Sequence, residues 1–287
     1  MKSVERIEQE IVELQQAVAA LAQEFYETYR DYLDGLGQVV RQQLILASYN
    51  VCTQGYPANF LALSLSQQQA LQKAVRTLAK QAQESLQEIL QKPDEWVAVS
   101  RASVLMSEGA TSEDPVQELV QEQGERQTTP VSDALTPEDV IQWQETLEQE
   151  IVYALRNASQ DGNRLLQQAA ILPKQLPEAF LQQVGKAEMV EMGASPPNLL
   201  NVLIEDPEKL SFSEEDLEDP ESLLQIIAIQ LRLTDIEFAN ATLTLLRNKT
   251  RSLSARLKKL WQLYRRKSRE RAIAQAQQAW QASWFED

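Results

Sequence analysis

The chain predicts an all-α fold: an elongated, coiled-coil-like helical bundle made of two helical units joined by an acidic linker. Three observations carry that expectation. An apolar stripe in alternating steps of three and four opens the chain, a second closes it, and neither glycine nor proline occurs after Pro220.

The first stripe is Val4, Ile7, Ile11, Leu14, Val18, Leu21 and Phe25, with Glu8, Glu10 and Glu13 on the outer positions. It then turns aromatic through Tyr26, Tyr29 and Tyr32, and Gly35 and Gly37 are expected to weaken the helix before a further stretch from Val39 to Cys52. A helix from Val4 to Tyr32 is roughly 43 Å long at about 1.5 Å per residue, so its stripe needs a long partner helix. Gly55-Tyr56-Pro57 reads as a turn, and Ser66 with Gln69 as a capping box opening a helix. That helix carries Leu71, Val75, Leu78, Ala82, Leu86, Ile89 and Leu90, and Lys92-Pro93 ends it. Residues 1–106 are the expected N-terminal helical unit.

Residues 107–136 hold seven acids against Arg126 alone, with few large apolar side chains. Such a stretch buries too little surface to offset backbone ordering at about 1–2 kcal/mol per residue, and it is read as an acidic flexible linker. Order is expected to return with Thr136 as cap, Pro137 at the first helical position and Glu138 and Asp139 facing the helix dipole. Residues 137–220 are expected to hold short helices, broken by Pro173, Pro177, Gly185, Gly193, Pro196-Pro197 and Pro207. Leu199, Leu200, Val202, Leu203 and Ile204 form an apolar patch there, followed by nine acids against Lys209 between Glu205 and Glu221. With Asp219 as cap and Pro220 at the first position, residues 221–287 are expected to be one long, basic C-terminal helix with an aromatic tail.

Charge sorting along that last segment points to function. Eleven of the 27 Lys and Arg residues lie between Arg247 and Arg271, where Glu270 is the only acid, in a chain of formal net charge −15. The seam Leu243, Leu246, Thr250, Leu253, Leu257, Leu260 and Tyr264 leaves most of these cations opposite or beside it on the helix. Past Tyr264 the apolar residues Ile273, Trp280 and Trp284 change to the formerly basic side. The candidate partner-binding residues are therefore Arg247, Lys249, Arg251, Arg256, Lys258, Lys259, Arg265, Arg266, Lys267, Arg269 and Arg271, with Trp280, Trp284 and Phe285 as an aromatic anchor. Such a surface suits an acidic partner, and the run Glu205–Glu221 offers one within the same chain.

Composition argues against several chemistries. The chain has no histidine, which removes Ser-His and Cys-His nucleophile pairs and the common zinc sites. No glycine run forms a phosphate-cradling loop, and the single cysteine, Cys52, reads as a small buried hydrophobe. No catalytic, cofactor-binding or metal-binding residue is assigned, no cofactor or small-molecule substrate is expected, and the chain is read as non-enzymatic. Neither a secretory leader nor a membrane span is recognised, so the expected location is cytoplasmic or peripheral to a membrane.

The expected function is a scaffold, adaptor or assembly factor, with protein partners or self-association through the coiled-coil seams. The alternative is a peripheral regulator docking on anionic membrane or nucleic acid through residues 247–271. The stretches FLALSLSQQQALQKAVRTLAKQ, ILPKQLPEAFLQQ and SPPNLLNVLIE, with the ending AWQASWFED, resemble uncharacterised all-helical proteins of cyanobacteria. The resemblance implies a cyanobacterial cytosol or thylakoid-facing setting and carries no site residue.

Overall fold

The computed structural model describes residues 4–91, 135–173, 197–204 and 224–284. Residues 107–134 of the expected linker 107–136, the acidic run 205–221, the proposed caps Asp219 and Pro220, and Phe285 lie outside the described residues. Helices dominate: α1 (Val4–Asn50), α2 (Pro57–Ala62), α3 (Leu65–Glu88), α4 (Pro137–Gln168), α5 (Leu233–Phe238) and α6 (Ala241–Ser283), with a π-helical turn at Val51–Gly55 and a 3-10 turn at Ile89–Gln91. The strands β1 (Leu199–Ile204) and β2 (Leu224–Ile229) pair antiparallel, with Leu200 opposite Ala228 and Val202 opposite Ile226.

The chain divides into two compact units. One comprises Met1–Tyr29, Lys92–Leu147 and Asn248–Asp287; the other comprises Arg30–Gln91 and Glu148–Arg247. Each is assembled from pieces far apart in sequence rather than from consecutive blocks of chain.

In the first unit the predicted stripe is the buried one: Ile7, Ile11, Val18, Leu21 and Phe25 are all buried, as are Thr250, Leu253 and Leu257 of α6. Glu24 meets Arg256 at 2.6 Å and Glu10 meets Lys267 at 2.7 Å, so these parts of α1 and α6 run in opposite directions. The start of α4 completes the packing. Trp143 stands edge-on to Phe25 and Tyr29, with ring centroids 6.5 and 5.5 Å away, and Gln144 Nε2 donates to Ser254 Oγ at 2.9 Å. Helix α4 opens as expected, with Thr136 Oγ1 accepting from the Asp139 amide at 3.3 Å and the Thr136 amide donating back to Asp139 Oδ2 at 2.8 Å.

In the second unit, four expectations need correction, the third being the short helices over residues 137–220, where the 32-residue α4 and strand β1 stand instead. Gly35 and Gly37 do not interrupt α1. A Cβ at Gly35 would come within 3.2 Å of Leu243 Cδ2, and one at Gly37 within 3.2 Å of the Gln83 carbonyl oxygen, so both glycines serve close helix packing. The capping box of α3 uses Ser64 and Gln67, two residues before the predicted pair; SLSQQQ offers both registers, and Ser64 is the residue with extended backbone. Helix α4 continues through Gly162 to Gln168 and ends where Ala170 turns left-handed at φ 57°, the Ile171 amide donating to the Leu166 carbonyl at 2.9 Å.

The fourth correction concerns the region after Pro220. Strand β2 and the short α5 stand where one continuous helix is expected, and α6 begins only at Ala241, where Asn240 Oδ1 accepts from the amides of Thr242 and Leu243 at 3.0 and 3.1 Å. In β2 the β-branched Ile226 and Ile229 are buried together with Ala228, a pattern that fits a covered strand at least as well as a helix.

Candidate interaction surface

Two groups of residues stand out, and they lie in different units. In the second unit Arg247 is tied into an interior cluster. Its Nε donates to Glu237 Oε1 at 2.6 Å, its Nη2 to the Tyr32 hydroxyl at 3.0 Å and its Nη1 to Glu148, while its guanidinium sits 4.8 Å from the Tyr32 ring centre. The Tyr32 hydroxyl in turn donates to Glu237 Oε1 at 2.5 Å. The Arg247 and Glu237 side chains are only 13% and 15% exposed. Burial opposes the charge on Arg247, but the hydrogen bond to Glu148 and the neighbouring Tyr32 and Glu237 outweigh it and hold the guanidinium above its ordinary value. Burial likewise pushes the Tyr32 hydroxyl up, with Arg247 working against it. The structure thus removes Arg247 from the outward docking set and gives it a packing role.

The same unit shows polar residues that periodicity does not reveal. Asn163 grips β2 through both backbone groups of Ile229, accepting from its amide at 2.8 Å and donating to its carbonyl at 2.9 Å. Ser159 Oγ accepts from the Leu231 amide at 2.9 Å, and the Tyr56 hydroxyl from the Ile227 amide at 3.2 Å. These side chains satisfy edge amides of β2 and the Leu231 amide just beyond its end, groups wholly or partly removed from water. A 290 Å³ cavity lies beside them, lined by Arg156, Ser159, Asn163, Leu200 and Arg232. Its innermost polar groups, Ser159 and Asn163, are already spent on β2. A second hollow of 330 Å³ adjoins the π-helical turn between Tyr49, Cys52, Phe60 and Val75. Burial pushes the Cys52 thiol up to about 11, which leaves it a neutral apolar group at pH 7.

In the first unit α6 presents the remaining candidates. Arg256 is paired with Glu24, whose carboxyl that hydrogen bond holds below the ordinary value, and Lys267 is paired with Glu10 and Glu270. Arg266 stands 3.9 Å from Glu270. Among the described residues Lys249, Arg251, Lys258, Lys259, Arg265, Arg269 and Arg271 have no carboxylate within 4 Å; Arg265 instead lies 5.4 Å over the Trp261 ring, whose Nε1 donates to Glu138 at 2.5 Å.

At about 100° per residue, Arg251, Lys258, Lys259, Arg265, Arg266, Arg269, Ile273, Trp280 and Trp284 share an arc of about 120°, opposite the buried stripe of Thr250, Leu253 and Leu257. All nine are exposed. The row spans roughly 50 Å at about 1.5 Å per residue and ends with Trp280 and Trp284, 68% and 73% exposed, their ring centres 6.1 Å apart. Lys267 is level with Glu10, so α6 runs on past the level of Val4, and every residue from Gln275 to Trp284 is exposed.

Among the described residues no group of three or more Cys, Asp or Glu side chains is arranged to hold a metal ion. No described helix is long and apolar enough to cross a membrane. Comparison of the chain with protein-family models, with curated proteins and with solved structures finds no match.

Proposed function

We propose that the protein is a non-enzymatic helical scaffold or adaptor, and that the outward face of α6 is its docking element. A coiled-coil-like helical bundle of two units, each built from distant pieces of the chain, would supply the frame, in a cytoplasmic setting such as the cyanobacterial one that its sequence resemblance implies. The observation that carries this reading is the exposed row of cations, all but Arg266 without a carboxylate within 4 Å among the described residues, ending in two exposed tryptophans. Exposed large aromatics are costly to leave wet and mark association surfaces. Ile7, Ile11, Val18, Leu253 and Leu257 of the seams are buried within the chain while Val4, Leu14, Leu260 and Tyr264 are half-buried, so self-association would use the seams' ends or the outward faces.

A chain ending at Ala274 tests the proposal. It removes only exposed positions of α6 among the described residues, so its thermal unfolding should match that of the full chain. Proteins retained by the full chain from a native extract should be lost from the shortened one. An unchanged set of retained proteins would refute α6 as the docking element. The alternative reading, a peripheral regulator on an anionic surface, draws on the same unmatched cations.

A further inference from the structure

The row on α6 has a chemistry of its own, and naming its partner rests on the reading of that face as the docking element. We infer that the outward face of α6 binds an anionic phospholipid surface, the cations lying along the headgroups and Trp280 and Trp284 entering the interface.

The charge pattern narrows the choice of partner. Arg251, Lys258, Lys259, Arg265 and Arg269 point outward with no carboxylate within 4 Å among the described residues, and the lone acid of α6, Glu270, is engaged by Lys267. A second copy of this face would set like charges against like. A bilayer rich in anionic lipid matches a straight row of this length, because each Lys or Arg near its surface adds attraction that falls off within a Debye length. The aromatic end narrows it further. Ile273, Trp280 and Trp284 continue the same line, and tryptophan favours the boundary between headgroup and acyl chain, where its ring is buried and its N–H stays hydrated. A nucleic-acid duplex would take up the cations through its phosphates yet leave these three side chains in water.

Membrane attachment of this kind combines two signals, a basic patch and an inserted apolar group, whose contributions add. The apolar contribution here is two rings and one isoleucine. Binding is therefore reversible, dependent on anionic lipid and sensitive to salt.

Flotation of the full chain with vesicles of phosphatidylcholine, with and without phosphatidylglycerol, tests the inference. The protein should float only with the anionic vesicles, and binding should fade between about 0.1 M and about 1 M salt as the Debye length falls from about 10 Å to about 3 Å. Combining Arg251→Gln, Lys258→Gln, Lys259→Gln, Arg265→Gln and Arg269→Gln should weaken it by at least about a hundred-fold. The pair Trp280→Ser and Trp284→Ser should weaken it several-fold and reduce the blue shift of tryptophan fluorescence on vesicle addition. Circular dichroism and the urea midpoint of both variants should match those of the parent, since every altered side chain is exposed. The inference is overturned by absence of flotation with anionic vesicles at low salt, by binding that either variant leaves intact, or by binding to a DNA duplex that exceeds binding to vesicles. Failed flotation together with protein partners still lost from the chain ending at Ala274 would overturn the lipid assignment alone; an unchanged partner set would remove the docking reading as well.

Discussion

Replacing Arg247 by methionine separates a residue that holds the fold from those that face outward. Arg247→Met keeps much of the side-chain volume but withdraws the hydrogen bonds to Glu148, Glu237 and the Tyr32 hydroxyl, together with the cation over the Tyr32 ring. Glu237 keeps its bond from Tyr32, but its charge is left without the guanidinium in a largely enclosed site. Removing one partner of a buried ion pair costs about 3–5 kcal/mol. Glu148 is 29% exposed and can relax toward water, which places the expected loss near the lower end, about 3 kcal/mol. That is a large share of the roughly 5–15 kcal/mol that holds a typical domain. The assay is urea unfolding followed by circular dichroism, with a second variant adding Glu148→Gln and Glu237→Gln. Neutralising the stranded carboxylates should recover more than half of the loss, since a buried pair replaced as a whole is often close to neutral. A loss below about 1 kcal/mol for Arg247→Met, or a triple variant no better than the single one, would refute the account of a desolvated charge cluster.

Two further substitutions test the packing that positions these elements. Asn163→Ala leaves the amide and carbonyl of Ile229 without their side-chain partners in a buried place, and should cost about 2–4 kcal/mol in urea unfolding. Gly37→Ala gains about 1 kcal/mol of helix propensity but drives a methyl group against the Gln83 backbone, where overpacking costs about 1–3 kcal/mol, so it should destabilise. Gly35→Ala meets only the tip of the Leu243 side chain, which can turn aside, so its urea midpoint should equal or slightly exceed the parent's.

The contrast between these glycines shows which parts of the fold the sequence could convey. Apolar spacing identifies which side of α1 and α6 is covered, because the 3.6-residue period is a local property and Ile7, Ile11, Leu253 and Leu257 obey it. It cannot say which helix does the covering. Gly35 and Gly37 look like helix breakers until Leu243 and Gln83, some 208 and 46 positions away in the chain, are seen beside them. The strand at Leu224–Ile229 is hidden for a related reason. A run of isoleucines serves a helix or a strand, and Asn163, Ser159 and Tyr56, which fasten the strand's edge, sit in segments that carry no strand signal of their own.

The charged surface divides in the same way. Composition shows that residues 247–271 are basic, but only three-dimensional placement sorts the cations by task. Arg247 is spent inside, Arg256 and Lys267 are spent on α1, and Arg251, Lys258, Lys259, Arg265 and Arg269 fall on the arc that also carries Trp280 and Trp284, while Lys249 and Arg271 lie off it. A solvated face needs no such alignment between charge and aromatic side chains, because exposed charges gain nothing from a row and exposed rings lose by standing at its end. That coincidence on α6 is the ground on which the docking face is proposed.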